Sequence, residues 1–175
     1  QGTIINLNGS TQAEMAIVPA AALVINFPRV AAGGGGFGGG GFGGFGGPQL
    51  DFNEAVRRRD TQIEELKKIF ASAVSLGRSI DAYAKDKTLP APATNLALEA
   101  MIPYVRGEKP IVFPVERERD IKAVIKFVTD MKLKGIIVGG QEAWKAADDL
   151  KKANISVIFT NIYNLPVRDD DPYDY

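Results

Sequence analysis

The feature that most limits the fold of this chain is an alternation, between residues 109 and 166, of short apolar runs with amphipathic ones. Pro110–Val115 (PIVFPV) is apolar and rich in β-branched residues. Glu116–Met131 carries Ile121, Val124, Ile125 and Val128 at the three- and four-residue spacing of one helical face. Lys134–Gly140 (KGIIVGG) reads as a second buried strand, stopped by two glycines. Gln141–Ala153 reads as a second helix with Trp144, Ala147, Asp148 and Lys151 as its stripe, and Asn154–Phe159 as a third strand. Strands alternating with helices of this length imply parallel pairing and right-handed crossovers. The expected class is α/β, built on a parallel βαβαβ unit.

The upstream half is less regular. Thr3–Leu7 reads as a strand and Asn8-Gly9 as a turn. Thr11 and Glu14 have the spacing of a capping box, with room only for a short helix before Pro19. Ala20–Phe27 reads as a strand ending at Pro28. Gly33–Gly47 is low-complexity, twelve glycines and Phe37, Phe42 and Phe45; glycine's high ordering entropy makes it a flexible loop unless the aromatics anchor it. It lacks the lysine and hydroxyl of a phosphate-binding loop. The functional alternative for it is a lid or a docking loop.

Asp51–Lys87 is a long helical pattern through Ile63, Leu66, Ile69, Phe70, Ala73, Leu76, Ile80 and Tyr83, with Gly77 a point of bending or breakage. Arg57, Arg58 and Arg59 near its start read as a solvated face, with a basic docking patch as the alternative. Pro90 and Pro92 mark a linker. Thr94 opens another helix, which Pro103 limits and Gly107 stops. Residues 167–175 read as an acidic tail. The chain thus divides into strand segments at 1–32, the glycine/phenylalanine-rich loop at 33–49, the long helix and proline linker at 50–92, and the parallel α/β unit with its tail at 93–175.

Composition narrows the chemistry more than it names it. At 175 residues with 45% hydrophobic content the chain is long enough to bury a core. Twenty-one basic residues balance twenty-one acidic ones, which argues against a nucleic-acid partner. No apolar run approaches the length that spans a membrane. With no cysteine there is neither a disulfide nor a thiolate metal site, and the compartment cannot be read. With no histidine, a histidine general base and a His-ligated zinc are impossible within the chain. Carboxylate-only metal sites stay open.

Three places remain as candidate sites. Glu116 and Glu118 follow the first strand of the unit, where parallel α/β folds bind ligands. They would bind a metal or relay a proton, or else serve as ordinary acids in a first helical turn. Gly139 and Gly140 precede a helix, where free amides attract anions; a tight strand-to-helix turn explains them equally well. Asp169, Asp170 and Asp171 would gather a hard cation, but they lack the spacing of a calcium loop and read by default as a solvated loop.

Several ordered segments resemble one family. Ala100–Pro110 (AMIPYVRGEKP), Asp120-Ile121, Ile137–Asp148 (IVGGQEAWKAAD), Leu165-Pro166 and Asp170–Tyr173 (DDPY) look like the middle of a bacterial amidohydrolase-superfamily protein, most similar to the imidazolonepropionase-like amidohydrolases. Gly2–Leu7 and Val24–Pro28 look like segments upstream of it. The resemblance implies a metal-dependent (β/α)8 barrel that hydrolyses C–N bonds through a metal-bound water. Such a barrel needs about 250 residues, so this chain would be part of one. A divalent metal of the zinc type is implied for the parent family only, not for this chain. One family metal histidine would fall where Pro114 stands, and proline has no donor side chain. No catalytic residue of the family carries over.

Two functions of different class follow. One is a segment of an amidohydrolase-like protein, inactive alone, whose partner is the remainder of the parent barrel. The other is a stand-alone α/β binding or assembly module that self-associates through an exposed sheet edge. A nucleotide binder using Gly139 and Gly140 is a third reading.

Overall fold

The computed structural model describes residues 2–5, 16–30 and 52–160. The glycine-rich segment, the Thr11/Glu14 pair and the acidic residues 169–171 lie outside them. Five strands form one sheet in sequence order: β1 (Gly2–Ile5), β2 (Ala16–Val24), β3 (Ile111–Val115), β4 (Gly135–Gly139) and β5 (Ser156–Ile158). β1 runs antiparallel to β2, and β2 to β5 are mutually parallel. Helices α1 (Phe52–Lys85) and α2 (Leu96–Val105) connect β2 to β3. α3 (Glu118–Met131) connects β3 to β4; a 3-10 turn (Ala143–Ala146) and α4 (Ala147–Lys152) connect β4 to β5. The expected parallel βαβαβ unit is present, extended by β2 at one side.

The core lies between the sheet and the helices. β3 and β4 alternate buried and half-buried residues, the period of two that a strand imposes. Ile111, Phe113, Val115 and Ile137 point into one apolar cluster with Phe70 of α1, Tyr104 of α2, Ile121, Val124, Phe127 and Val128 of α3, and Leu150 of α4. All four helices therefore cover the same sheet face, as consecutive right-handed crossovers require. Phe127 is the hub. Its ring meets Phe27, Phe70 and Phe113 edge-on, at centroid distances of 5.5, 5.5 and 6.2 Å. Edge-to-face pairs of this kind add about 0.5–1.5 kcal/mol each beyond area burial.

Three helices stop in the same way. Gly107, Lys132 and Asn154 are left-handed, with φ of 71°, 53° and 53°. The amide after each reaches back to a carbonyl five residues earlier: Glu108 to Pro103 at 3.0 Å, Leu133 to Val128 at 2.9 Å, Ile155 to Leu150 at 3.0 Å. Glycine and asparagine suit that conformation; Lys132 adopts it at a steric cost.

Several sequence expectations change. Residues 16–19 are strand, not the end of a short helix; Pro19 is accommodated in the segment paired with β1. β2 bends at Ala20, whose φ is 51°, and its carbonyl accepts from Tyr104 Oη at 3.0 Å and Lys109 Nζ at 2.9 Å. α1 runs through Gly77 without a break: the residue is buried against Ile102 of α2 and the side chain of Arg106 just beyond it. Asn95, not Thr94, caps α2: its side chain accepts from Leu98 N at 3.2 Å, while Glu99 accepts from Asn95 N. Pro103 lies inside α2, which continues two residues beyond it. The segment after β4 buries Ala143, Ala146 and Leu150, while Trp144, Ala147, Asp148 and Lys151 face outward. Its first turn is 3-10, so the 3.6-residue period set the stripe one position off.

Candidate functional site

The carboxyl ends of β3 and β4 bring the four candidate residues together. β3 leaves the sheet at Val115 and β4 at Gly139, and their exits are tied by backbone bonds from Gly140 N to Val115 O (2.8 Å) and from Glu142 N to Glu116 O (2.9 Å). Two side chains then cross between the exits. The Glu116 carboxylate, leaving β3, accepts from Gln141 N after β4 at 3.2 Å. The Glu142 carboxylate, leaving β4, accepts from Glu118 N at the start of α3 at 2.7 Å. Each exit supplies the acid that satisfies a free amide of the other, the need that every helix start creates.

Gly139 and Gly140 are what this crossing requires. Gly139 has φ of 96°, and a Cβ there would overlap the Glu116 carboxylate. Gly140 has φ of 64°, and a Cβ would lie 2.8 Å from Val157 Cγ1. The amide that an external anion would have used is thus met by the chain's own carboxylate. Glu118 heads α3 and accepts from Lys122 Nζ at 2.6 Å, one turn along, which raises the Lys122 ammonium.

Sequence reasoning missed Glu142. Its carboxyl is held below the ordinary value of 4.5, first by the Glu118 amide, then by Lys145, whose Nζ donates to it at 2.9 Å. An acid two residues past a Gly-Gly stop was a visible signal, but its partner lies 24 residues away in sequence. Arg29, after β2, also reaches this rim: its Nη2 donates to the Pro114 carbonyl at 3.4 Å. Asp120, one turn into α3, is buried with Oδ1 lacking any hydrogen bond; Arg119 Nε stands 3.7 Å away.

At this rim the donor set of the described residues does not fit a divalent metal. Among the described residues no group of three or more His, Cys, Asp or Glu side chains is placed to hold one. Pro114, one residue before the end of β3, has no donor, Glu116 is engaged with Gln141, and Glu142 with Glu118 and Lys145. What the arrangement does is lock the exits of two parallel strands into one stiff rim.

No family model and no curated protein matches the chain. A solved structure, an amidohydrolase from Thermotoga maritima MSB8, is similar in fold, with a TM-score of 0.70 and 16% identity. The likeness covers 96% of this chain and 40% of that one, so this chain spans two fifths of the length of its neighbour.

Proposed function

We propose that this chain is a contiguous wall segment of an amidohydrolase-like (β/α)8 barrel, akin to the imidazolonepropionase-like group, and does not hydrolyse C–N bonds by itself. One observation carries the reading. The sheet face opposite the helices is apolar too: Val112 and Pro114 on β3, Ile136 and Val138 on β4, Ile158 on β5 and Val24 on β2. Val24 and Ile158 are 44% and 51% exposed, and none of the six belongs to the core cluster. Parallel sheets are apolar on both faces when both are covered, and in a barrel the second face fills the interior. The fold of the Thermotoga neighbour and the fraction of it spanned here support the same reading.

On this reading the rim of Glu116, Glu118, Gly139 and Gly140 belongs to the carboxyl end of the barrel, the end that carries catalysis in such folds. Its part is to set the shape of the mouth. The metal of the family would need ligands from elsewhere in the parent. The direct test is the mass of the natural polypeptide, captured from its source cells with an antibody against this chain. A mass more than twice 18.8 kDa is expected, and a mass equal to it would overturn the wall-segment reading. Turnover of cyclic-amide substrates by the purified chain with added zinc would overturn the claim of inactivity.

A further inference from the structure

We propose that the groove between α3 and α4 is a docking site for an acidic peptide segment of a partner protein, one that carries an apolar side chain among its carboxylates. This goes beyond the barrel-wall reading and does not depend on it, because the groove lies in the helix layer and not on the open sheet face. Its volume is about 400 Å³, within the range that ligand sites occupy. The floor is apolar: Ile125 of α3 and Ala153 just after α4, both half-buried and packed on the core. Lys122 and Lys126 of α3 and Lys152 of α4 stand around it.

The charges around the groove do not cancel. Glu118 accepts from Lys122 Nζ at 2.6 Å, and Asp149, the acid that lines the groove, acts on the same ammonium. Lys126 and Lys152 are exposed and have no ion-pair partner among the described residues. Nor have Lys132, Lys134 and Lys151, where α3 and α4 lead into β4 and β5. Ile136 is paired with Ser156, so those two strand entries lie side by side and the foot of the groove opens onto further cations. Cations are ordinary in the last turn of a helix, where they meet its dipole, and Lys151 and Lys152 stand there. Lys126 stands before the last turn of α3 and Lys134 beyond its cap, so the dipole does not account for them.

Shape and charge together select the occupant. Lysine stems are apolar and end in mobile ammonium groups, so the walls can enclose an apolar side chain while meeting carboxylates on either side of it. A bilayer surface is too flat to reach Ile125 and Ala153. A nucleic-acid backbone would use the lysines and leave the floor empty, and no arginine lines the groove to grip phosphate at two points.

Fluorescence anisotropy of a labelled Glu-Glu-Phe-Glu-Glu peptide, titrated with the whole chain, tests this. Saturable binding is expected, weaker as salt rises. Lys126→Glu combined with Lys152→Glu weakens it at least about tenfold. A peptide with serine in place of the phenylalanine binds the parent chain more weakly. Arg57→Glu combined with Lys68→Glu, two exposed positions on α1, makes the same change in net charge and leaves binding unchanged. The proposal is overturned by an absence of binding, by binding that both pairs of changes weaken equally, or by a serine peptide that binds as well as the phenylalanine one. It is also overturned if phosphatidylserine vesicles or duplex DNA hold the chain more tightly than the peptide does. Self-association in sedimentation velocity that the Lys126 and Lys152 changes abolish would make a second copy the occupant and overturn it too. Circular dichroism of each variant separates loss of binding from loss of fold.

Discussion

The Glu116 carboxylate occupies the space that a side chain at Gly139 would fill. A carboxylate of one strand exit is thus seated against the bare backbone of the next, and its Oε2 takes the Gln141 amide at 3.2 Å. Glycine at 139 and glutamate at 116 form a pair although 23 residues separate them.

The first prediction follows from that pairing. Gly139→Ala combines a φ of 96° with displacement of the carboxylate, and is expected to cost about 2–3 kcal/mol. In a Glu116→Ala background the displacement is gone and only the backbone strain remains. Urea unfolding of the two single variants and the double variant is expected to show a coupling of about 1 kcal/mol. Additive losses would show that the carboxylate does not hold its place in solution.

A second prediction concerns acid. The Glu142 carboxyl is lowered by the Glu118 amide first and by Lys145 next, and its side chain is 28% exposed. A lowered folded value means stability that is full above the ordinary 4.5 and lost as pH falls through the folded value. Glu142→Gln is expected to lower stability by about 1 kcal/mol at neutral pH, as loss of a helix-capping acceptor does. The gap from the parent chain should close below pH 4.5, in the order of that titration. A gap that is constant from neutral to strongly acid pH would rule out the ionised carboxylate as its source.

Lys132→Gly gives a third. Lys132 ends α3 at φ of 53°, where a β-carbon is crowded. Relief of that crowding, less the added freedom of glycine in the unfolded chain, is expected to stabilise by about 0.5–1 kcal/mol. Differential scanning calorimetry would read this as a Tm rise of about 1–4 °C; an unchanged or lower Tm would mean that the lysine is held there by something more than the turn.

The fourth concerns Gly77 of α1. A Cβ there would lie 3.5 Å from Ile102 Cγ2, an ordinary contact. Gly77→Ala is expected to stabilise by about 0.5–1 kcal/mol through helix propensity alone. Gly77→Leu, by contrast, should push α2 away and destabilise. Chemical denaturation of both variants checks the pair, and a loss with alanine would show that α1 and α2 sit closer than described.

The parallel unit was legible because each part announces itself locally. Ile121, Val124 and Val128 repeat at the helical period, and the runs at 111–115 and 135–139 are too short and too β-branched for anything but strands. Trp144 misled because a large ring drew the stripe to itself, while the tight packing is made by Ala143 and Ala146 on a 3-10 turn. Gly77 and Pro103 read as breaks under local rules, yet Gly77 is buried within α1 and α2 runs two residues past Pro103. The rim was half legible. Glu116, Glu118, Gly139 and Gly140 could be placed at strand ends, but their crossing with Gln141 and Glu142 joins two segments, and no local pattern encodes it.

The parallel sheet also carries an order of assembly. Val112 of β3 meets Ile136 of β4 across 24 residues, and Ile136 meets Ser156 across 20, whereas Leu23 of β2 must find Ile111 across 88. Closing the longer span costs about 1 kcal/mol more in chain entropy. That cost is offset as β2 docks, when Phe27 reaches Phe113 and Phe127 and the Ala20 carbonyl takes Tyr104 and Lys109. The three later strands are therefore expected to form a template that β2 joins last, so that the long intervening stretch makes itself felt in the time this takes rather than in the stability reached.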